Sequence, residues 1–142
     1  MKILTVLVTL LSLGLAQRVT DISPSEKEAI QAVIAGQIAA FQKDDAATAY
    51  SFAAPGIKQV FPSATVFVEM VKGGYLPLYR PKTVEFGRLE LYQGTPAQQL
   101  TVVGPDDKTY IALYLMQKQP DGNWKIAGVS LELAPAAPKT GA

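Results

Sequence analysis

Two hydrophobic rhythms divide the chain. Ile30, Ile34, Ile38 and Phe41 recur every three or four positions, with Val33 and Gln37 beside them, the spacing of one buried helical face. Ser23-Pro24-Ser25-Glu26 stands just ahead of this stripe. Ser23 suits an N-cap, Pro24 the first helical position, and Glu26 the reciprocal contact of a capping box. The opposite face carries Ala29, Ala32, Ala35, Ala39 and Ala40, small enough to admit a close neighbour. Lys43-Asp44-Asp45 ends this helix, and Asp44 or Asp45 caps a second one with Ala46, Ala49, Tyr50 and Ala53 inward. Residues 57–61 read as a short extended piece. Ser63 caps a third helix with Val66, Phe67, Met70 and Val71 on its apolar side, closed by Gly73-Gly74.

After Pro81 the period becomes two. Val84 and Phe86 share one parity while Leu89 and Leu91 share the other, so a β-bulge is predicted at Gly87. The last strand repeats the switch: Trp124 and Ile126 on one parity, Val129, Leu131 and Leu133 on the other, with Gly128 between. Residues 98–103 and 109–118 supply the strands between. Turns are marked by Gly94-Thr95-Pro96, Gly104-Pro105-Asp106-Asp107 and Pro120-Asp121-Gly122-Asn123. The third strand is apolar on both parities: Ile111, Leu113 and Leu115 against Tyr110, Ala112, Tyr114 and Met116. That predicts a central strand buried on both faces. Helices followed by an antiparallel sheet predict an α+β domain, and two bulges predict a strongly curved sheet wrapped over the helices.

The start of the chain has a different role. Lys2, the apolar run of residues 3–15 and Gly14-Leu15-Ala16 compose an export signal with cleavage after Ala16. This run of 13 residues, interrupted only by Thr5, Thr9 and Ser12, is short of the ~20 that span a bilayer, so no membrane anchor is expected. The expected product is exported and soluble, located in a Gram-negative periplasm. One domain is expected over residues 23–133, followed by a Pro/Ala-rich tail over residues 134–142.

Composition then narrows the chemistry. The 142 residues include no histidine and no cysteine. That removes imidazole and thiol catalysis, Cys/His zinc sites, disulfides and lipid attachment at a mature cysteine. The 13 basic residues face 12 acidic ones, and loss of Lys2 with the signal leaves 12 against 12. Such a balance speaks against nucleic acid as a partner. No P-loop, dinucleotide fingerprint, nucleophile elbow or calcium-loop spacing occurs, so neither cofactor nor metal is expected.

Four segments carry a resemblance: Ile38-Ala39-Ala40-Phe41-Gln42-Lys43-Asp44-Asp45, Ala53-Ala54-Pro55-Gly56-Ile57, Gly74-Tyr75-Leu76-Pro77-Leu78-Tyr79-Arg80-Pro81 and Gly122-Asn123-Trp124-Lys125-Ile126. Together they resemble the bacterial exported family called domain of unknown function 4864, over about residues 28–133. The Gly-Tyr-x-Pro-x-Tyr-Arg-Pro run is the most specific part. The order of elements is similar to the nuclear transport factor 2-like (SnoaL-like, cystatin-like) cone. That resemblance implies a fold and a location and assigns no activity.

Candidate site residues fall in three groups. Tyr75, Tyr79 and Arg80 lie between prolines, which push Leu76 and Arg80 toward extended backbone and hold the side chains in fixed directions. Arg80 suits a carboxylate or phosphate, and a tyrosine can stack on an apolar ligand; alternatively the tyrosines plug the core and Arg80 pairs with Glu69 or Glu85. Among the carboxylates only Glu69 and Glu90 suit an inward position, since Asp44 and Asp45 read as caps and Asp106, Asp107 and Asp121 as turn residues. Tyr110, Tyr114, Trp124 and Met116 form an aromatic set on the sheet that lines either a pocket or a plain core. The ligand-binding candidates are therefore Tyr75, Tyr79, Arg80, Tyr114, Trp124 and Glu69, with no catalytic residue assigned. The expected protein binds a small apolar molecule or a protein partner without catalysis. Two alternatives stand beside it: a cofactor-free lyase or isomerase using a pocket carboxylate and a tyrosine, and a homodimeric scaffold paired through its sheet face.

Overall fold

Ser23 Oγ accepts from the Glu26 amide at 3.2 Å while Glu26 Oε1 accepts from the Ser23 amide at 3.2 Å, so the expected capping box opens the first helix. A computed structural model describes residues 21–135. The expected export signal and residues 136–142 of the tail lie outside the described residues. Among the described residues five helices come first: α1 (Pro24–Gln42), α2 (Ala46–Ser51), α3 (Pro55–Val60), α4 (Ala64–Gly74) and α5 (Leu76–Tyr79). Four strands follow: β1 (Thr83–Tyr92), β2 (Thr95–Val103), β3 (Thr109–Lys118) and β4 (Trp124–Leu133). They form one antiparallel meander in the order β1-β2-β3-β4, so the chain is an α+β domain with helices on one face of a sheet.

The α1 stripe is used as its spacing predicts. Ile30, Ile34 and Ile38 are buried against Leu100, Val102, Ala112, Tyr114, Met116, Trp124 and Ile126 of the sheet. At its C-terminal end Ala40 and Phe41 join a second cluster with Ala49, Phe67, Val68, Val71 and Tyr79 from the short helices. The alanine face is different from expectation: Ala29, Ala32, Ala35 and Ala39 are exposed, and only Ala40 is buried. The close approach occurs instead at Gly36, where an added Cβ would lie 2.8 Å from Phe52 Cζ.

Three helical details differ from the periodicity. Of residues 57–61 only Phe61 is extended; residues 57–60 are helical, because Pro55 presets the first turn of α3 and the Ile57 and Lys58 amides donate to Ala54 O. Leu76 is likewise not extended. Pro77 occupies the first turn of α5, where a missing amide costs nothing, and the Leu78 and Tyr79 amides donate to Tyr75 O. On α4 the inward positions are Phe67, Val68 and Val71, while Val66 is 48% exposed.

In the sheet, both period switches are irregularities of pairing. The β1–β2 register slips between Phe86 and Leu89, which places Val84, Phe86, Leu89 and Leu91 opposite Val102, Leu100, Gln98 and Pro96 on the helix side. Opposite β4, Leu115 pairs with Gly128 and Met116 with Ile126, so the skipped residue is Ala127, one before the expected Gly128. The first hairpin turns on Gln93-Gly94, both at positive φ, as a two-residue loop of primed type; Thr95 and Pro96 already belong to β2. β3 lies inside the sheet, with Ala112, Tyr114 and Met116 buried under the helices. Its other parity, Ile111, Leu113 and Leu115, is only half-buried, because no layer among the described residues packs on that face. The β4 edge is partly covered: Ala53 bridges Ile126, the Ala54 amide donates to Ile126 O at 2.8 Å, and the Ile126 amide donates to Phe52 O at 2.9 Å. No helix of the described residues is long and apolar enough to cross a membrane.

Candidate functional site

The α2–α3 connection docks on β4, and a cavity of about 250 Å³ is lined by Ile57 and Phe61 together with residues of α4, Phe61 packing edge-on against Phe67 with ring centroids 6.3 Å apart. Its walls are Phe41, Phe61, Phe67, Met70 and Val71. Its deeper lining includes Gln37, Leu78, Tyr114 and Ile126, all buried, while Ile57, Tyr75, Gly128 and Val129 are half-buried. The cavity therefore follows the seam between the two apolar clusters, with Tyr114, Leu78 and Ile126 from one and Phe41, Phe67 and Val71 from the other. None of its lining residues carries a charge.

Three of the lining residues carry polar groups. The Tyr75 hydroxyl, at the α4–α5 junction, donates to Val129 O at 3.2 Å and ties the helical layer to β4. Gln37 Nε2 donates to Ala49 O at 3.1 Å, and among the described residues its Oε1 accepts no hydrogen bond. Tyr114 is wholly buried, and its hydroxyl has no hydrogen-bond partner among the described residues. Burial pushes its phenol well above the usual value, so the group stays a protonated donor.

The predicted site residues separate. Tyr75 and Tyr114 line the cavity. Tyr79 and Arg80 stand outside its lining in a polar clamp at the end of α1. Arg80 Nη1 donates to Phe41 O at 2.6 Å, its Nη2 donates to Asp44 Oδ1 at 2.6 Å, and the Tyr79 hydroxyl donates to the same oxygen at 2.6 Å. A guanidinium on the last carbonyls of a helix also faces the negative end of its dipole. The Tyr79 ring packs on Phe41 with centroids 5.3 Å apart, and the guanidinium lies 4.5 Å from the Tyr79 centroid. Arg80 thus pairs with Asp44 rather than Glu69 or Glu85. The Tyr79 and Arg80 hydrogen bonds hold the Asp44 carboxyl below its usual range, while burial and Asp44 raise the Tyr79 phenol. Asp45, not Asp44, caps α2, accepting from the Thr48 amide at 3.2 Å.

Trp124 is buried at the start of β4 under the Lys118 ammonium, 5.9 Å from its ring centroid, and does not line the cavity. Glu69 is exposed on α4, 3.8 Å from Lys72 in an (i,i+3) pair, and Glu90 is exposed on β1. Gln37 and the three phenylalanines were not among the predicted candidates. Gln37 carried one signal, a polar residue inside the apolar stripe of α1. Among the described residues no group of three or more His, Cys, Asp or Glu side chains is placed to hold a metal ion.

Fold and site together define a small α+β helix-on-sheet domain with an uncharged, apolar cavity at the seam of its two layers. The chain belongs to the family described as Domain of unknown function (DUF4864), whose model matches residues 23–138. No curated protein matches the sequence.

Proposed function

We propose that this chain is an exported, periplasmic binding domain that holds a small, largely apolar molecule in the seam cavity and performs no chemistry on it. The observation that carries this reading is the cavity: about 250 Å³, walled by Phe41, Phe61 and Phe67, with no charged lining residue. An apolar cavity of about 150 Å³ already takes up benzene. A substituted single ring or a short chain therefore suits this one. The two sheet bulges support the reading of the fold as a cone that encloses a ligand. The isomerase alternative needs a carboxylate base beside the ligand. Glu69 and Asp44 lie outside the cavity lining, the first facing solvent and the second engaged by Arg80 and Tyr79.

The test is an amide chemical-shift titration of the protein with ethylbenzene, indole and 4-ethylphenol. Saturable shifts concentrated at residues 57–75 and 126–129 are expected. Met70→Trp, which fills the half-buried wall, should weaken them at least about tenfold, since a bulky ring removes the space the ligand needs. Absence of saturable shifts with all three compounds would reject the reading.

A further inference from the structure

We propose that the molecule held in this cavity is uncharged and presents one hydrogen-bond donor, a hydroxyl or an N–H, to the side-chain oxygen of Gln37. The inference rests on the binding reading above and names its ligand class. Gln37 falls inside the apolar stripe of α1, next to Ile38, and is only 3% exposed. Its carboxamide has a fixed direction. The atom 3.1 Å from Ala49 O is the NH2 group, because a carbonyl accepts and cannot face a second acceptor. The oxygen is therefore the free end, and among the described residues it accepts no hydrogen bond. Of those residues the Tyr114 hydroxyl alone is both sealed and unpartnered, so the Gln37 oxygen, unpartnered too, is not sealed. Gln37 belongs to the cavity lining and has almost no surface left to bulk solvent, so this open oxygen faces the cavity. The Tyr114 hydroxyl is closed to a ligand and takes no part.

The rest of the lining narrows the class. The Tyr75 hydroxyl already donates to Val129 O, and Gln37 Nε2 to Ala49 O. The unengaged side-chain group open to a ligand is thus an acceptor. A molecule that displaces water from it without donating in return leaves a buried acceptor unpaired, which costs more than an ordinary hydrogen bond gains. An ammonium would donate, but no carboxylate lines the cavity to offset its lost hydration. A carboxylate or phosphate would find no Lys or Arg there and would face the carboxamide oxygen. A neutral hydroxyl or N–H meets none of these penalties. Phe41, Phe61 and Phe67 suit a flat or chain-like apolar body behind that donor.

The experiment titrates ethylbenzene, 4-ethylphenol, 4-methylanisole and 4-methylbenzylamine into the full mature chain and into Gln37→Met, followed by amide chemical shifts. The phenol and the anisole are isomers; the first donates a hydrogen bond and the second only accepts one. The amine donates but is charged at pH 7. The wild type should bind 4-ethylphenol at least about fivefold more tightly than 4-methylanisole, the penalty of one unpaired buried acceptor. It should bind 4-methylbenzylamine more weakly than the phenol. Gln37→Met, an unbranched apolar chain of similar length, should bring the two isomers within about twofold of each other and should not weaken ethylbenzene. Equal affinity for the isomers in the wild type, a phenol preference that survives in Gln37→Met, or tighter binding of the amine than of the phenol overturns the ligand class while the cavity remains a binding site. If none of the four binds, the binding reading fails and the ligand class falls with it. The wild-type ratio decides the question even if the variant does not fold.

Discussion

Asp44 follows α1 in a left-handed backbone conformation (φ 56°) and receives hydrogen bonds from both Tyr79 and Arg80. Those bonds, the Tyr79 one foremost, lower its pKa. A depressed carboxylate stabilises the fold above its unfolded pKa, near 3.9, and that contribution disappears as pH falls from there through the folded value. Glu26, Asp45 and Asp106 are shifted in the same direction. Stability should therefore fall in acid, and Asp44→Asn should lower it at pH 7, the gap to the wild type closing as pH falls below the unfolded pKa and through the lowered folded one. Urea denaturation at pH 7, 5 and 3 measures this, and a pH-independent gap between the two proteins would refute it. The motif containing Tyr79 and Arg80 was visible in the chain, but their partner was not. Spacing cannot show that a residue 36 positions earlier comes within 2.6 Å. Glu69 and Glu85, nearer in sequence, are both exposed.

At the scale of elements, the β1 bulge needs an explanation beyond its glycine. Slipping the register between Phe86 and Leu89 withdraws backbone groups from the β1–β2 ladder. Gln98, opposite Leu89 and wholly buried, donates from Nε2 to Gly87 O at 3.1 Å and lies 3.4 Å from Arg88 O, while its Oε1 accepts from Gln31 of α1 at 3.1 Å. Gln98→Leu keeps the volume roughly and removes the donors, so it should cost about 2 kcal/mol in chemical denaturation. Gln31→Ala, at a half-buried position, should cost less than about 1 kcal/mol. A neutral Gln98→Leu would show that the bulge carbonyls need no protein donor. The period break at Gly87 made the bulge legible, because side-chain parity records the register directly. The role of Gln98 was not legible: a glutamine in a strand reads as solvent-facing until pairing sets it opposite the bulge. The helical turns at residues 55–60 and 76–79 were missed for a related reason. Short proline-led turns have too few residues to show a period.

At the scale of the whole molecule, the described residues form two apolar clusters joined along α1, one against the sheet and one among the short helices. The cavity lies where they meet, since side chains packed for one cluster do not also fill the other's edge. The proposed export reading sets the domain outside the cytoplasm. N-terminal sequencing of protein recovered from the periplasm should begin at Gln17, and a full-length chain retained in the membrane fraction would refute that reading. The sequence by itself determined the α+β order, the capped first helix with its buried isoleucine face, the two strand kinks and the chemistry excluded by lacking histidine and cysteine. These follow from periodicity, local capping and composition, which need no distant neighbour. Only the tertiary structure decided that Tyr75 and Tyr114 share a cavity while Tyr79, Arg80, Trp124 and Glu69 do not line it, that Gln37 joins them, and that the Tyr114 hydroxyl lacks a partner among the described residues. A cavity and an unpaired donor depend on where two independently packed layers fail to close, and no single segment of the chain encodes that gap.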